Sequence, residues 1–161
     1  MIQQIGLLIG GSTGNVIYLL GKAAAALTSA GIGVGVAVKY GESPLVTVSA
    51  AVAAMVGGYA GKITGGTFFV DGNAVLAGPG EPLGAFIAAF AGITCGHLVS
   101  GKTKVDIIVT PVITIGAGSV VGLLVGPPIS QMMTGLGSII NWATEQRPFI
   151  MGIVVSVVMG M

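Results

Sequence analysis

The sequence predicts an all-α integral membrane protein. Only 7% of the 161 residues are Asp, Glu, Lys or Arg and 53% are apolar, whereas a typical soluble domain has about 25% charged residues. The few charges lie mostly at the ends of long apolar or glycine-rich runs. A transmembrane β-barrel can also span a bilayer, but its strands alternate apolar and polar residues. Runs such as Ile150–Val158 do not alternate, so they favour helices.

Apolar runs and turn signals divide the chain into about six transmembrane segments. A helix needs about 20 mainly apolar residues to cross the hydrocarbon core, so the length allows roughly six crossings. The segments are expected at residues 5–21, 23–38, 44–61, 82–100, 105–125 and 148–161. Lys22 separates the first two, the turn at 41–44 precedes the third, and Pro127-Pro128 is expected to end the fifth.

The C-terminal part of the chain departs from this pattern. Residues 129–142 form a shorter and more polar stretch, typical of a helix lying at the membrane interface with Trp142 as its anchor. The sixth segment is still apolar at Met161, with no polar stop after it. We therefore expect residues 1–161 to form one polytopic membrane domain that is the N-terminal portion of a longer protein.

The spacing of the glycines predicts close packing between helices. There are 29 glycines, and several recur every four residues, which places them on one face of a helix. These sets are Gly6-Gly10-Gly14, Gly31-Gly35, Gly57-Gly61, Gly92-Gly96 and Gly118-Gly122-Gly126. Small residues on one face let helix backbones approach each other closely in a membrane.

The stretch from Lys62 to Ala85 is the most unusual part of the sequence. It joins two apolar segments and is itself half apolar, yet it carries Asp71, Asn73 and Glu81 among several glycines. A re-entrant hairpin over residues 62–82 explains this mixture, because non-helical backbone at membrane depth is allowed where protein buries it or water reaches it. An ordinary surface loop is the alternative.

Five polar residues are candidates for binding a substrate: Glu81, His97, Asn73, Asp71 and Asn15. Glu81 lies where a helix is expected to begin, so it is either a carboxylate stabilised by the helix dipole or a clamp for a polar ligand. His97 is the only histidine, and it either has a substrate or proton role or simply lies at the interface. Asn15 either bonds across helices or binds substrate.

The sequence contains no recognisable catalytic machinery. It has no nucleophile–base pair, no cluster of metal ligands and no phosphate-binding loop, so neither a cofactor nor a metal is expected. Cys95, the only cysteine, is expected to be a small buried apolar residue. A net charge of +1 without a basic tract argues against a nucleic-acid partner.

Four strings make the chain resemble a known family, the membrane IIC component of the sugar phosphotransferase system. They are SPLVTVSAAVAAMVGG, GPGEPLGAFIAA, GKTKVDIIVTPVITIGAGSVVGLLVGPPIS and ATEQRPFIMGIVVSVVMGM. The resemblance extends from about residue 5 onward. Within the family, the chain resembles above all the branch that includes the perfringolysin regulator.

The resemblance implies a multi-pass permease in the plasma membrane of a bacterium, usually dimeric. Such a permease binds a sugar and delivers it to a phosphorylated cytoplasmic IIB protein. A glutamate–proline signature in this family contacts the sugar, which implicates Glu81 in Gly80-Glu81-Pro82, and a histidine near the sugar implicates His97. The alternative is a membrane regulator or sensor with the same fold and no transport.

Basic residues do not decide the orientation in the membrane. If all six segments span, the two sides carry Lys39, Lys102 and Lys104 against Lys22, Lys62 and Arg147. Only the Lys102–Lys104 pair in one short loop favours placing that loop in the cytoplasm.

Overall fold

The structure is a computed structural model that describes residues 2–67, 69–70, 73–74, 78, 80–102, 104–146, 152–153 and 156, with the backbone alone for 69–70, 73–74 and 142–146. Six helices and one short antiparallel hairpin account for most of these residues. The helices are α1 (Ile2–Ile9), α2 (Gly11–Ala26), α3 (Thr28–Lys39), α4 (Pro44–Thr64), α5 (Pro82–Val99) and α6 (Asp106–Gln146), and β1 (Phe69–Val70) pairs with β2 (Asn73–Ala74).

Three helices are long and apolar enough to cross a bilayer alone: α4, α5 and the Asp106–Asn141 part of α6. The α2 and α3 helices meet at a bend of 43° and together give a fourth candidate span. The prediction of an all-α membrane protein is therefore confirmed. Within the described residues, however, the six helices supply three or four spans rather than six.

The first predicted segment, 5–21, is wrong as a single span. The α1 helix ends at Ile9, where Gly10 and Gly11 have φ values of 64° and 66°, which glycine adopts readily and other residues rarely. The chain reverses there, so that Gly6 packs against the backbone of Gly14.

The boundary between the first two predicted segments also differs. Lys22 lies inside α2 and is exposed, so its charge does not interrupt the helix. The break comes instead at Leu27, which follows the alanine run of α2 and precedes Thr28 at the start of α3.

The core forms where α4, α5 and α6 cross on small residues. A Cβ added at Gly57 of α4 would lie 2.5 Å from the Gly84 carbonyl oxygen of α5, and one added at Gly122 of α6 would lie 2.9 Å from the Gly57 Cα. Helix packing through spaced glycines is thus confirmed for these three helices. It is wrong for Gly31 and Gly35 of α3, where an added Cβ would meet open space.

The predicted end of the fifth segment at Pro127-Pro128 is wrong, because α6 continues through both prolines to Gln146. Proline lacks an N–H and crowds the preceding turn, but neighbouring helices make it tolerable inside a membrane helix. Residues 129–142 are therefore helical, as predicted, but as a continuation of α6; their position at the interface stays a prediction. Most of the predicted sixth segment, 148–161, lies outside the described residues.

Candidate functional site

The chain between α4 and α5 comes back to pack beside the last turns of α4. The Tyr59 hydroxyl donates a 2.6 Å hydrogen bond to the Gly78 carbonyl, and the Glu81 amide donates a 2.7 Å hydrogen bond to the Gly58 carbonyl. The helix α4 continues from Gly58 to Thr64, and an α-helix rises about 1.5 Å per residue. The start of α5, which contacts Gly58, therefore lies roughly 9 Å back along α4 from its end. This return is compatible with the re-entrant alternative for residues 62–82, which stays a prediction.

Gly80 permits this close approach. Its φ is 74°, and a Cβ at this position would lie 2.9 Å from the Gly58 carbonyl oxygen and 2.7 Å from Ser29 Oγ. Ser29, fully buried at the start of α3, therefore lies at the same junction. Contacts with α3 and α4 thus hold the segment that carries Glu81 in place.

Glu81 lines a cavity of about 310 Å³ between α4, α6 and the segment that precedes α5. The cavity is also lined by Lys62 near the end of α4 and by Ser130 of α6, with glycines completing the wall. Pro82 begins α5 directly after Glu81, and the Glu81 side chain makes no capping hydrogen bond. The carboxylate is therefore available to the cavity, where the N-terminus of α5 favours its negative charge.

The cavity brings an acceptor, a cation and a hydroxyl together. A carboxylate accepts hydrogen bonds only, an ammonium donates three, and a serine hydroxyl does both. Lys62 is held in part by Tyr59, because its Nζ lies 5.3 Å from the centre of the Tyr59 ring. This combination suits a neutral polar ligand with several hydroxyl groups.

We expect Tyr59→Phe to loosen the segment before α5. The substitution removes the donor to the Gly78 carbonyl and should cost about 1 kcal/mol of unfolding free energy, or roughly 2–4 °C in the thermal midpoint. Tyr40→Phe is the matched control, since Tyr40 is exposed and should shift stability by at most about 0.5 kcal/mol. Equal midpoints for the two variants would contradict this role of Tyr59.

His97 lies in a second cleft, at the other end of α5. Its Nδ1 is 2.9 Å from Glu42 Oε1, so the ring donates a hydrogen bond to a carboxylate that sequence reasoning missed. The sequence pattern predicts only that Glu42 belongs to the turn at 41–44. The antiparallel order of α3, α4 and α5 brings that turn beside the end of α5, as the 3.2 Å distance between Ser43 Oγ and Ser100 Oγ also shows.

The structure describes the side chains of three predicted site residues, Glu81, His97 and Asn15, and it does not bring these three together. Glu81 and His97 are separated by most of α5, about 24 Å at the rise of an α-helix. Asn15 is exposed on α2, which packs mainly against α1. Asn73 is described only as backbone in β2, and Asp71 lies outside the described residues. Of Glu81, His97 and Asn15, only Glu81 lines the cavity with Lys62.

A comparison with models of protein families gives a match. A family model described as "Phosphotransferase system, EIIC" matches residues 1–161, the full length of the sequence. Neither the curated proteins nor the solved structures contain a significant match.

Proposed function

Because this chain belongs to the phosphotransferase-system EIIC family, we propose that it is a sugar-permease subunit whose ligand binds in the cavity beside Glu81. The observation that carries the proposal is the Glu81 carboxylate, which lines a cavity of about 310 Å³ without a capping partner of its own. Small-molecule sites in proteins begin at about this volume.

The chemistry of a sugar fits this lining. Two neighbouring hydroxyl groups can donate to the two oxygens of one carboxylate, while Lys62 and Ser130 supply donors to ring or hydroxyl oxygens. Removal of water from such a site makes each of these hydrogen bonds selective, since an unmatched ligand leaves buried polar groups unpaired. Asn73 and Asp71, in the neighbouring stretch, are further proposed ligand contacts; His97 and Asn15 lie elsewhere.

The proposal includes an orientation and a partner. Lys39 ends α3, and Lys102 and Lys104 lie between α5 and α6, so all three lie at the Ser43–Ser100 end of the bundle. The Lys102–Lys104 pair in one short loop favours the cytoplasmic side, and we assign this end to the cytoplasm of a bacterial plasma membrane. A phosphorylated IIB-type carrier would dock from that side, and the family resemblance makes a homodimer the proposed assembly.

Ligand-dependent thermal stability tests the proposal. The detergent-purified chain is screened with sugars, polyols and their phosphates, and a ligand at 100 times its Kd should add about 2.7 kcal/mol of stability. Ser130→Ala should weaken that ligand about tenfold. Ser138→Ala is the control, because this exposed serine donates to the Gly135 carbonyl of its own helix and is not among the residues that line the cavity.

Two results would contradict the permease proposal. One is the absence of any stabilising compound in a folded preparation. The other is an equal loss of ligand affinity in Ser130→Ala and Ser138→Ala, since this would place the ligand away from the cavity.

A further inference from the structure

The cleft that contains the Glu42–His97 pair is a second, chemically different cavity. It has a volume of about 400 Å³ and lies between the end of α3 and the last turns of α5. Tyr40, Phe90, Ile93 and Leu98 supply most of its lining besides the pair. It is separated from the cavity of Glu81 by most of the length of α5, so a ligand here would not be the transported sugar.

Glu42 is a mostly buried carboxylate with too few partners. Its side chain is 8% exposed, whereas that of His97 is 72% exposed. Within the described part of the chain, the hydrogen bond from His97 is its only side-chain interaction, although a carboxylate can accept about four. A carboxylate that is removed from water and short of donors is stabilised by a cation that supplies them.

Aromatic rings stand beside this carboxylate. The rings of Tyr40 and Phe90 meet edge to face, with centroids 5.9 Å apart. Phe86 stacks on Phe90 at 6.3 Å, which extends the aromatic surface along α5. Ring faces attract ammonium groups, and the attraction grows when water is excluded. Carboxylate and aromatic rings together therefore select for an ammonium ion.

The position of the cleft indicates where such an ammonium comes from. The cleft lies at the helix ends, where lipid headgroups are found, and its apolar wall continues into Phe86, Phe90 and Leu98, which are exposed. Exposed apolar side chains on a membrane helix face acyl chains. The same end carries Lys39, Lys102 and Lys104, all exposed, which suit the phosphate of a lipid headgroup.

We propose that this cleft binds an aminophospholipid from the surrounding bilayer, with its primary ammonium on Glu42. The ammonium donates hydrogen bonds to the free lone pairs of the Glu42 carboxylate and lies against the Tyr40 and Phe90 rings. The acyl chains follow the apolar wall formed by Ile93 and Leu98. His97 holds the carboxylate in position from the opposite side.

The test measures which lipid stays with the protein. The full chain is purified from membranes, exchanged into nanodiscs containing equal parts of phosphatidylethanolamine and phosphatidylglycerol, and the lipids retained after detergent extraction are counted by native mass spectrometry. We expect retained phosphatidylethanolamine to exceed phosphatidylglycerol, and Glu42→Gln to lower its retention about tenfold, the effect of removing a charged hydrogen-bond acceptor.

Two further variants keep this test decisive. Glu81→Gln makes the same chemical change at the far end of α5 and should leave lipid retention unchanged. Phe90→Leu, a half-exposed position where a smaller apolar side chain is tolerated, should lower retention less than Glu42→Gln. It covers the case in which Glu42→Gln does not fold.

Three outcomes would overturn the proposal. They are a preference for phosphatidylglycerol, unchanged retention in Glu42→Gln and Phe90→Leu, and stabilisation of the detergent-solubilised chain by ethanolamine alone to the same degree as by the lipid. The last would assign the cleft to a soluble amine.

Discussion

Gly57→Ala is expected to destabilise the protein by about 3 kcal/mol or more, at the upper end of what overpacking costs. The added methyl would collide with the Ala88 side chain and lie 2.5 Å from the Gly84 carbonyl oxygen. Neither neighbour is the end of a flexible side chain, so α4 and α5 must separate. Gly122 of α6 packs against the Gly57 backbone, so a shift of α4 would also disturb its contact with α6.

Thermal unfolding of the purified protein measures this effect, which should lower the midpoint by roughly 6–12 °C. Gly35→Ala is the matched control, because Gly35 is also inside a helix but faces open space. There the methyl should stabilise by up to about 1 kcal/mol through helix propensity. A midpoint for Gly57→Ala within 2 °C of the control would show that the three helices do not cross at this point.

Glu81→Gln is expected to weaken binding of the permease ligand roughly 100-fold, because hydrogen bonds to a charged group contribute about 1.5–3 kcal/mol each. Glutamine keeps the size of the side chain and one acceptor oxygen but loses the charge. Titration of the ligand found in the stability screen, followed by calorimetry or by the thermal midpoint, gives the affinity of both proteins.

The unliganded protein provides the control for this variant. The Glu81 side chain makes no capping hydrogen bond, and its backbone amide bonds to Gly58 whatever the side chain. Stability without ligand should therefore change by at most about 1 kcal/mol, the contribution of a carboxylate at a helix N-terminus. Unchanged affinity in Glu81→Gln would move the ligand site away from this cavity.

Composition was sufficient to predict the class of fold, and glycine spacing predicted the core. Gly57, Gly92, Gly118 and Gly122 each lie against a neighbouring helix, because a four-residue repeat keeps small residues on one helix face. The same repeat in Gly31-Gly35 meets no neighbour. Spacing defines a face but does not say which faces find a partner.

The helix boundaries were harder to predict, because the residues at each boundary allow two backbone conformations and the sequence alone does not choose between them. Gly10-Gly11 reverses the chain inside a run without a single charged residue, and Pro127-Pro128 does not end α6. A glycine pair can be helical or left-handed, and a membrane proline can interrupt or continue a helix. Packing against other helices decides between these outcomes.

The candidate site could also be predicted only in part. Glu81 could be predicted from its place between glycine and proline, directly before an apolar helix. Its neighbours Lys62 and Ser130 come from α4 and α6, far away along the chain, so only the packing of helices reveals them. Glu42 and His97 are likewise brought together by the antiparallel order of α3, α4 and α5.

The break at Leu27 has a mechanical consequence. α2 is joined to the bundle of α3 to α6 by this single residue, while its packing partner is α1. Two of the described side-chain hydrogen bonds link α2 to the bundle, and both are long: 3.5 Å from the Thr28 hydroxyl to the Ala24 carbonyl and 3.4 Å from the Tyr59 hydroxyl to the Ala26 carbonyl. We therefore expect the angle at Leu27 to be the easiest one in the fold to change, with the α1–α2 pair, roughly 24 Å long, moving as a unit and the glycine-packed core keeping its contacts.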